Sequence, residues 1–182
     1  MDYRIDKSDI DVLRRAGVSE EDIRHCIKVA EKALEIADRI KIQLDKGFIS
    51  RGALFHDLGK AKTHEIEHGM IGAELGRQMG LPEEITAVME RHIRGGLTED
   101  EARELGLPVK DYRLKTLEER IIIYADRLVD IITDGIVRLN SEGEAEERFE
   151  EILKTYPKYG KNEKTTERYI SYHREIRSLS SI

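Results

Sequence analysis

Apolar positions recur along this chain at intervals of three and four residues, almost from end to end. That spacing predicts helix after helix, because positions i, i+3, i+4 and i+7 share one face of a 3.6-residue repeat. "DIDVLRRA" reads as a first helix, capped by Ser8 and stopped at Gly17. Ser19 with Asp22 makes a capping-box-like start to "EEDIRHCIKVAEKALEIADRI". A third helix is predicted over about 48–58 and a fourth over "EIEHGMIGAELGRQM", which runs to Gly80. Pro82, in the first-turn position that favours proline, opens "PEEITAVMERHI". Beyond a loop holding Gly95 and Gly96, Thr98 caps "EDEARELG", and Thr116 opens the longest apolar helix, "LEERIIIYADRLVDIITDGIVRL". Two short charged amphipathic helices follow, around 144–156 and 163–179, separated by "PKYGKN". No alternating strand pattern of useful length and no internal repeat interrupts this order, so the fold class is all-α. Residues 1–140 are expected to form a helical domain, and residues 141–182 a charged C-terminal helical extension packed on it.

Some residues on the apolar stripes are polar. His25 shares a stripe with Val29, Ala33, Ile36 and Ile40; His68 heads Ile71, Leu75 and Met79. His92 ends a stripe of Ile85, Val88 and Met89, and Asp126 is in line with Ile122 and Val129. His56 and Asp57 stand side by side in "GALFHDLGKAKTH", with Lys60 one turn further on. Burying an imidazole or a carboxylate without partners costs free energy. One inward polar residue is ordinary; the same anomaly on several helices implies convergence on a common point. Imidazole nitrogen and carboxylate oxygen together suit borderline divalent metals such as Fe, Mn, Co, Ni and Zn. Helical bundles build metal sites from such inward side chains on facing helices. An adjacent His–Asp pair reaches two neighbouring points, so Asp57 can bridge two ions.

Composition narrows the partners. The chain has 182 residues, 39% hydrophobic and 37% charged, enough for one domain with a real core and a heavily charged surface. A net charge of -6 argues against a sequence-independent grip on nucleic acid, which needs a basic face, but leaves room for a small basic pocket. Cys26 is the single cysteine, so no intramolecular disulfide is available and a reducing interior is expected, with Cys26 as core filler. "MDYRIDKSDIDVLRR" lacks the apolar core of a signal peptide, and no stretch reaches the roughly 18–20 apolar residues of a membrane span. The expected location is cytoplasmic.

His25, the "HD" of His56–Asp57, His68 and Asp126 together resemble the ordered signature of the HD-domain superfamily of metal-dependent phosphohydrolases. "HDLGK" is similar to the HDIG variant, and "ERIIIYADRLVD" to the helix carrying the family's final aspartate. "EHGMIGAELGRQMGLPEEITAVMERHI" resembles the segment by which some branches add two histidines for a second metal. The likeness spans about residues 20–134, and residues from about 141 onward match no motif of the family.

The resemblance implies a compact HD-domain helical bundle binding one or two divalent transition-metal ions. It makes His25, His56, Asp57 and Asp126 ligands of one metal, with Asp57 bridging to a second held also by His68 and His92. His92 is followed by Ile93, where several two-metal branches carry a second histidine or a small polar residue. The implied reaction is hydrolysis of a phosphomonoester or phosphodiester, of nucleotide type, by metal-activated water. Lys60 then serves as a phosphate contact, and Arg94, beside Gly95 and Gly96, as a substrate contact at the pocket mouth. Asp57 and Lys60 are the catalytic candidates, and Lys60 and Arg94 the substrate-binding ones. The partner implied is a small phosphorylated molecule, with no nucleic-acid duplex and no membrane; an oligomer is compatible with the chain. His64 is expected to be a proton donor or a surface residue, His173 a surface or interface residue, and Asp130 either a group that orients a ligand or a plain surface charge. Specificity is expected in residues 95–113 and in the tail. Two readings from other classes stay open: a non-catalytic, metal-stabilised module that senses a ligand or binds a partner, and a metal-dependent oxygenase.

Overall fold

A computed structural model describes residues 5–180 of the chain. Among these residues helices carry the whole architecture and no strand forms; one isolated bridge joins Ile40 to Ser180. The centre is a three-helix layer of α2 (Glu20–Asp38), α3 (Lys46–Phe55) and α7 (Leu117–Thr133). The apolar stripe of α2 after His25 is buried: Val29, Ala33, Ile36 and Ile40 pack with Ile49 of α3 and with Ile122 and Leu128 of α7. On the other side of α2, Cys26 lies in a second core with Leu13 of α1 (Lys7–Ala16), Leu54 and Met89. Cys26 is fully buried, which fits a small core residue.

α3 gives way at His56 to a 3-10 turn, Leu58–Ala61, which packs against α4 (His68–Gln78); α4 in turn packs on α5 (Glu83–Arg91). Gly59 permits this contact: a Cβ there would lie 1.8 Å from the carbonyl oxygen of His68. A second 3-10 turn, Ile93–Gly95, leads to α6 (Glu99–Glu104), whose N-terminus carries a complete capping box of Thr98 and Glu101. After α7 come α8 (Gly143–Glu147), α9 (Phe149–Thr155), α10 (Pro157–Gly160) and α11 (Glu163–Leu179), with α11 lying across α7 and the Ile93–Gly95 turn.

Several sequence expectations need correction in detail. Asp6, not Ser8, caps α1, because its carboxylate accepts the Ser8 amide at 2.8 Å. Pro82 sits at the cap position of α5 rather than inside its first turn. α4 begins at His68 and buries Gly69, Gly72, Ala73 and Gly76, while Ile71 and Leu75 are only partly buried and Met79 is exposed. The small residues win that face because the 3-10 turn and α5 approach to backbone distance. The long helix stops at Thr133 instead of continuing to Leu139. Asp134 caps its end and accepts from Tyr159 at 2.9 Å, and Gly135 turns the chain at φ 73°. The segment 144–156 is broken at Arg148 into α8 and α9, and "PKYG" forms the single turn α10.

Candidate metal centre and its pocket

Six side chains from five segments meet at one end of the three-helix layer. His25 comes from the first half of α2, His56 and Asp57 from the end of α3, and His68 from the start of α4. His92 ends α5, and Asp126 projects from the middle of α7. His56, Asp57 and His92 are buried, and His25, His68 and Asp126 are nearly so.

The Asp57 carboxylate divides the group. Its Oδ1 is 3.2 Å from Nε2 of both His68 and His92. Its Oδ2 is 3.3 Å from Nε2 of His56, 3.6 Å from Nε2 of His25 and 3.0 Å from the Lys60 ammonium. Asp126 Oδ1 closes the second cluster, 2.9 Å from His25 Nε2 and 3.3 Å from His56 Nε2.

Three of the imidazoles are oriented by backbone. Nδ1 of His56, His68 and His92 donates to the carbonyl three residues earlier, that of Ala53, Glu65 and Met89, at 2.5, 2.7 and 2.7 Å. A carbonyl only accepts, so Nδ1 carries a proton and each Nε2 is the atom turned to the cluster, its lone pair open to a cation once any second proton has left. The Nε2 atoms of His68 and His92 are nevertheless 2.9 Å apart. Two lone pairs at that distance repel unless a proton or a cation lies between them. Two nitrogens at about 2.1 Å from one ion, at a right angle, are about 3 Å apart, so the separation fits a shared metal. His56 Nε2 is buried without a hydrogen-bond partner among the described residues. A buried nitrogen without a hydrogen-bond partner, facing two carboxylates, suits a bound cation, so the donor set fits a borderline divalent metal.

Charge tells the same story. Burial pushes Asp57 upward, yet His56, His68 and His92 hold it well below the usual carboxylate range. Burial pushes His56 downward, yet Asp57 and Asp126 hold it well above the usual imidazole value. His25 is also raised, by Asp126 against its burial. The two carboxylates thus draw positive charge into the cluster, and without metal only protons supply it.

Asp130, one turn beyond Asp126, has Oδ1 3.7 Å from Nδ1 of His25 and faces Arg127 at 3.5 Å. Burial and then Asp126 push its carboxyl upward. His64 is exposed at the rim and pairs with Asp22 at 2.8 Å. His173 points inward: it stacks on Phe149 and its Nδ1 is 2.6 Å from the Tyr124 hydroxyl, so its neighbours are intramolecular.

Above the cluster opens a cavity of about 280 Å³, with Lys60 and Arg94 in its wall. The wall includes residues the sequence reading missed: Arg127, Lys161 and Tyr169. Arg127 directly follows Asp126, so its helix position was visible but its direction was not. Its guanidinium lies 4.7 Å over the Tyr169 ring and donates to the Tyr169 hydroxyl at 3.1 Å. Lys161 and Tyr169 belong to the tail, where no spacing pointed to them.

The sequence profile of the HD domain family matches residues 22–129. An uncharacterized protein of Methanocaldococcus jannaschii is 39% identical over 165 residues, covering 88% of this chain and 90% of that protein. A tRNA (cytidine(56)-2'-O)-methyltransferase of Picrophilus torridus is 39% identical over 128 residues, 70% of this chain but only 36% of the methyltransferase. A ribonuclease Y of Acidothermus cellulolyticus is 36% identical over 80 residues, 43% of this chain and 16% of that protein. Among solved structures, the HD domain of the L. monocytogenes phosphodiesterase PgpH in complex with cyclic-di-AMP superposes with a TM-score of 0.62 at 16% identity, over 94% of this chain and 95% of that one. At that identity the likeness is one of fold. No helix among the described residues is long and apolar enough to cross a membrane.

Proposed function

The chain belongs to the HD domain family, and we propose that it is a phosphohydrolase that cleaves a phosphomonoester or phosphodiester of nucleotide type with metal-activated water. The observation that carries this reading is the divided Asp57 carboxylate, with one oxygen turned to His68 and His92 and the other to His25 and His56. His25, His56, Asp57 and Asp126 would hold one ion of Fe, Mn, Co, Ni or Zn type, and Asp57, His68 and His92 a second. Divalent cations bound there lower the pKa of coordinated water and offset charge on phosphoryl oxygens.

The protein's own groups do the rest. Backbone carbonyls keep three imidazoles in the tautomer that presents Nε2. Asp130 faces the far nitrogen of His25 and orients that ring. Lys60 rests against Asp57 at 3.0 Å and is placed to meet a non-bridging phosphoryl oxygen as a point charge. Arg94 lines the same cavity and is a substrate contact at its mouth. A structural relative crystallised with cyclic-di-AMP and relatives named as ribonucleases support a nucleotide-type substrate. The cavity that opens onto the donor set, with Lys60 and Arg94 in its wall, supports catalysis over a purely structural metal.

The test is turnover of nucleoside monophosphates, cyclic nucleotides and dinucleoside polyphosphates by metal-loaded protein, beside Asp57→Ala. The expected result is hydrolysis of at least one class, lost in the variant. Equal background rates for both proteins on every substrate would overturn the reading. Bound metal that raises the melting temperature, with no turnover, would favour the non-catalytic module instead.

A further inference from the structure

Only two non-glycine residues among those described have left-handed backbone: Arg94, at φ 50°, and Lys161, at φ 64°. Both line the metal-centre cavity, and neither forms an ion pair with a described residue. Such conformations are costly for residues with a Cβ and persist only where the surroundings enforce them. Here the enforcement is visible. Lys161, with ψ -75°, is the centre of a γ-turn of the rare positive-φ form, closed by the Asn162 amide donating to the Gly160 carbonyl at 2.8 Å. Thr166 donates to the same carbonyl at 3.0 Å, and Gly160 is packed so tightly that a Cβ there would lie 2.2 Å from the Leu153 carbonyl oxygen. Arg94 is held by Arg168, which donates to its carbonyl at 2.9 Å, and the next carbonyl, of Gly95, accepts from Tyr172 at 2.7 Å.

Two strained turns in distant parts of the chain therefore aim two unpaired cations into one cavity. Arg127, whose Nε is buried without a partner among the described residues and whose Nη1 is 3.5 Å from Asp130, lines the same cavity. Loss of solvation and the charges of Arg127 and Arg94 lower the pKa of Lys161, as expected of cations crowded together. We infer that Arg94, Arg127 and Lys161 form an anion subsite for a second phosphoryl group, so that the substrate carries at least one phosphate beyond the one attacked. The inference rests on the phosphohydrolase reading for the attacked phosphate, which lies toward Lys60 and the metal centre. Beyond Lys161 the surface continues into a further cavity of about 410 Å³, with Leu153, Pro157 and Ile170 in its wall. The organic part of such a substrate has room there that the inner cavity alone does not give.

The test uses inorganic phosphate and the metal-free full chain, followed by amide chemical shifts. The expected perturbations fall on Gly95, Gly96, Lys161 and Asn162. Lys161→Gln should weaken binding about tenfold, as loss of one charge-assisted contact implies, and Lys161→Arg should restore it. Shifts confined to other residues, or a Lys161→Gln dissociation constant equal to wild type, would overturn the subsite. Asp57→Ala should leave this titration in place, so its turnover assay reports separately on the phosphohydrolase reading. With active metal-loaded protein, Lys161→Gln should raise KM about tenfold for substrates with a second phosphoryl group. It should leave KM for monophosphates and all kcat values unchanged; an equal rise for both classes would also count against the subsite.

Discussion

The floor and the mouth of the cavity carry opposite charge and are supported in opposite ways. On the floor, carboxylates and imidazoles are buried together, and the rings of His56, His68 and His92 are fixed by carbonyls three residues away in sequence. At the mouth, Arg94 and Lys161 stand on strained turns with no ion pair among the described residues, and the turn at Arg94 is tied by α11 across 74 and 77 residues of chain. The donor set of the floor suits a cation, and the charge of the mouth suits an anion. A helix end orients each of those imidazoles by itself, whereas the Arg94 backbone at the rim is held by a distant element, α11.

This contrast can be broken from either side. The largest effect is expected from the floor: Asp126→Asn keeps the shape but removes a charge facing His25 and His56. Metal content should fall, and turnover by more than about 10³-fold, since metal-borne charge stabilisation is worth several kcal/mol. Full metal occupancy in that variant, by elemental analysis, would show that Asp126 is not part of the donor set.

At the boundary between the two regions, Lys60→Gln should reduce kcat/KM roughly 10- to 100-fold, the range of one hydrogen bond to a charged group. Metal occupancy should be retained. Loss of metal together with activity would instead place Lys60 in support of Asp57.

Protons sharpen the comparison further. Burial disfavours charge on His56 and His25, but Asp57 and Asp126 outweigh it, so in metal-free protein both rings hold protons above the ordinary value of 6.5. A cation must displace those protons. Its affinity should therefore rise with pH, by about tenfold per unit for each proton displaced, and level off only above the raised values. Chelator competition at about pH 6, 7 and 8 measures this; a flat affinity across that window would mean that the rings are already neutral.

The smallest effect belongs to the mouth. Tyr172→Phe removes one hydrogen bond to the Gly95 carbonyl. A loss of about 1 kcal/mol should lower the melting temperature by roughly 2–4 °C and leave metal content unchanged. An unchanged melting temperature would show that the Tyr172 hydrogen bond does not help to hold the Arg94 turn.

What could be read from sequence follows the same division. His25, His92 and Asp126 are legible because each interrupts an apolar stripe that is in fact buried, and His56 because it stands beside Asp57 within a buried apolar run. His68 was found for a weaker reason: its supposed stripe of Ile71, Leu75 and Met79 is not the buried face of α4, where Gly69, Gly72, Ala73 and Gly76 make the contact. Hydrophobicity alone ranks those small residues too low, since their value lies in letting backbones meet. The apolar pattern over 117–139 overstates the helix for a related reason. Leu139 continues the apolar pattern, but the helix ends at Thr133, where Asp134 is engaged by the distant Tyr159 and Gly135 turns the chain.

The sequence by itself determined that this protein is all-helical and that its inward His and Asp residues belong together. Periodicity is a local property, and so is the surprise of a charge on an apolar stripe. Only the tertiary structure decided which oxygen of Asp57 faces which histidines, and that Arg127, Lys161 and Tyr169 complete the cavity. Those placements depend on contacts between parts of the chain with no regular spacing, and on backbone turns whose strain is held only once the tail has packed.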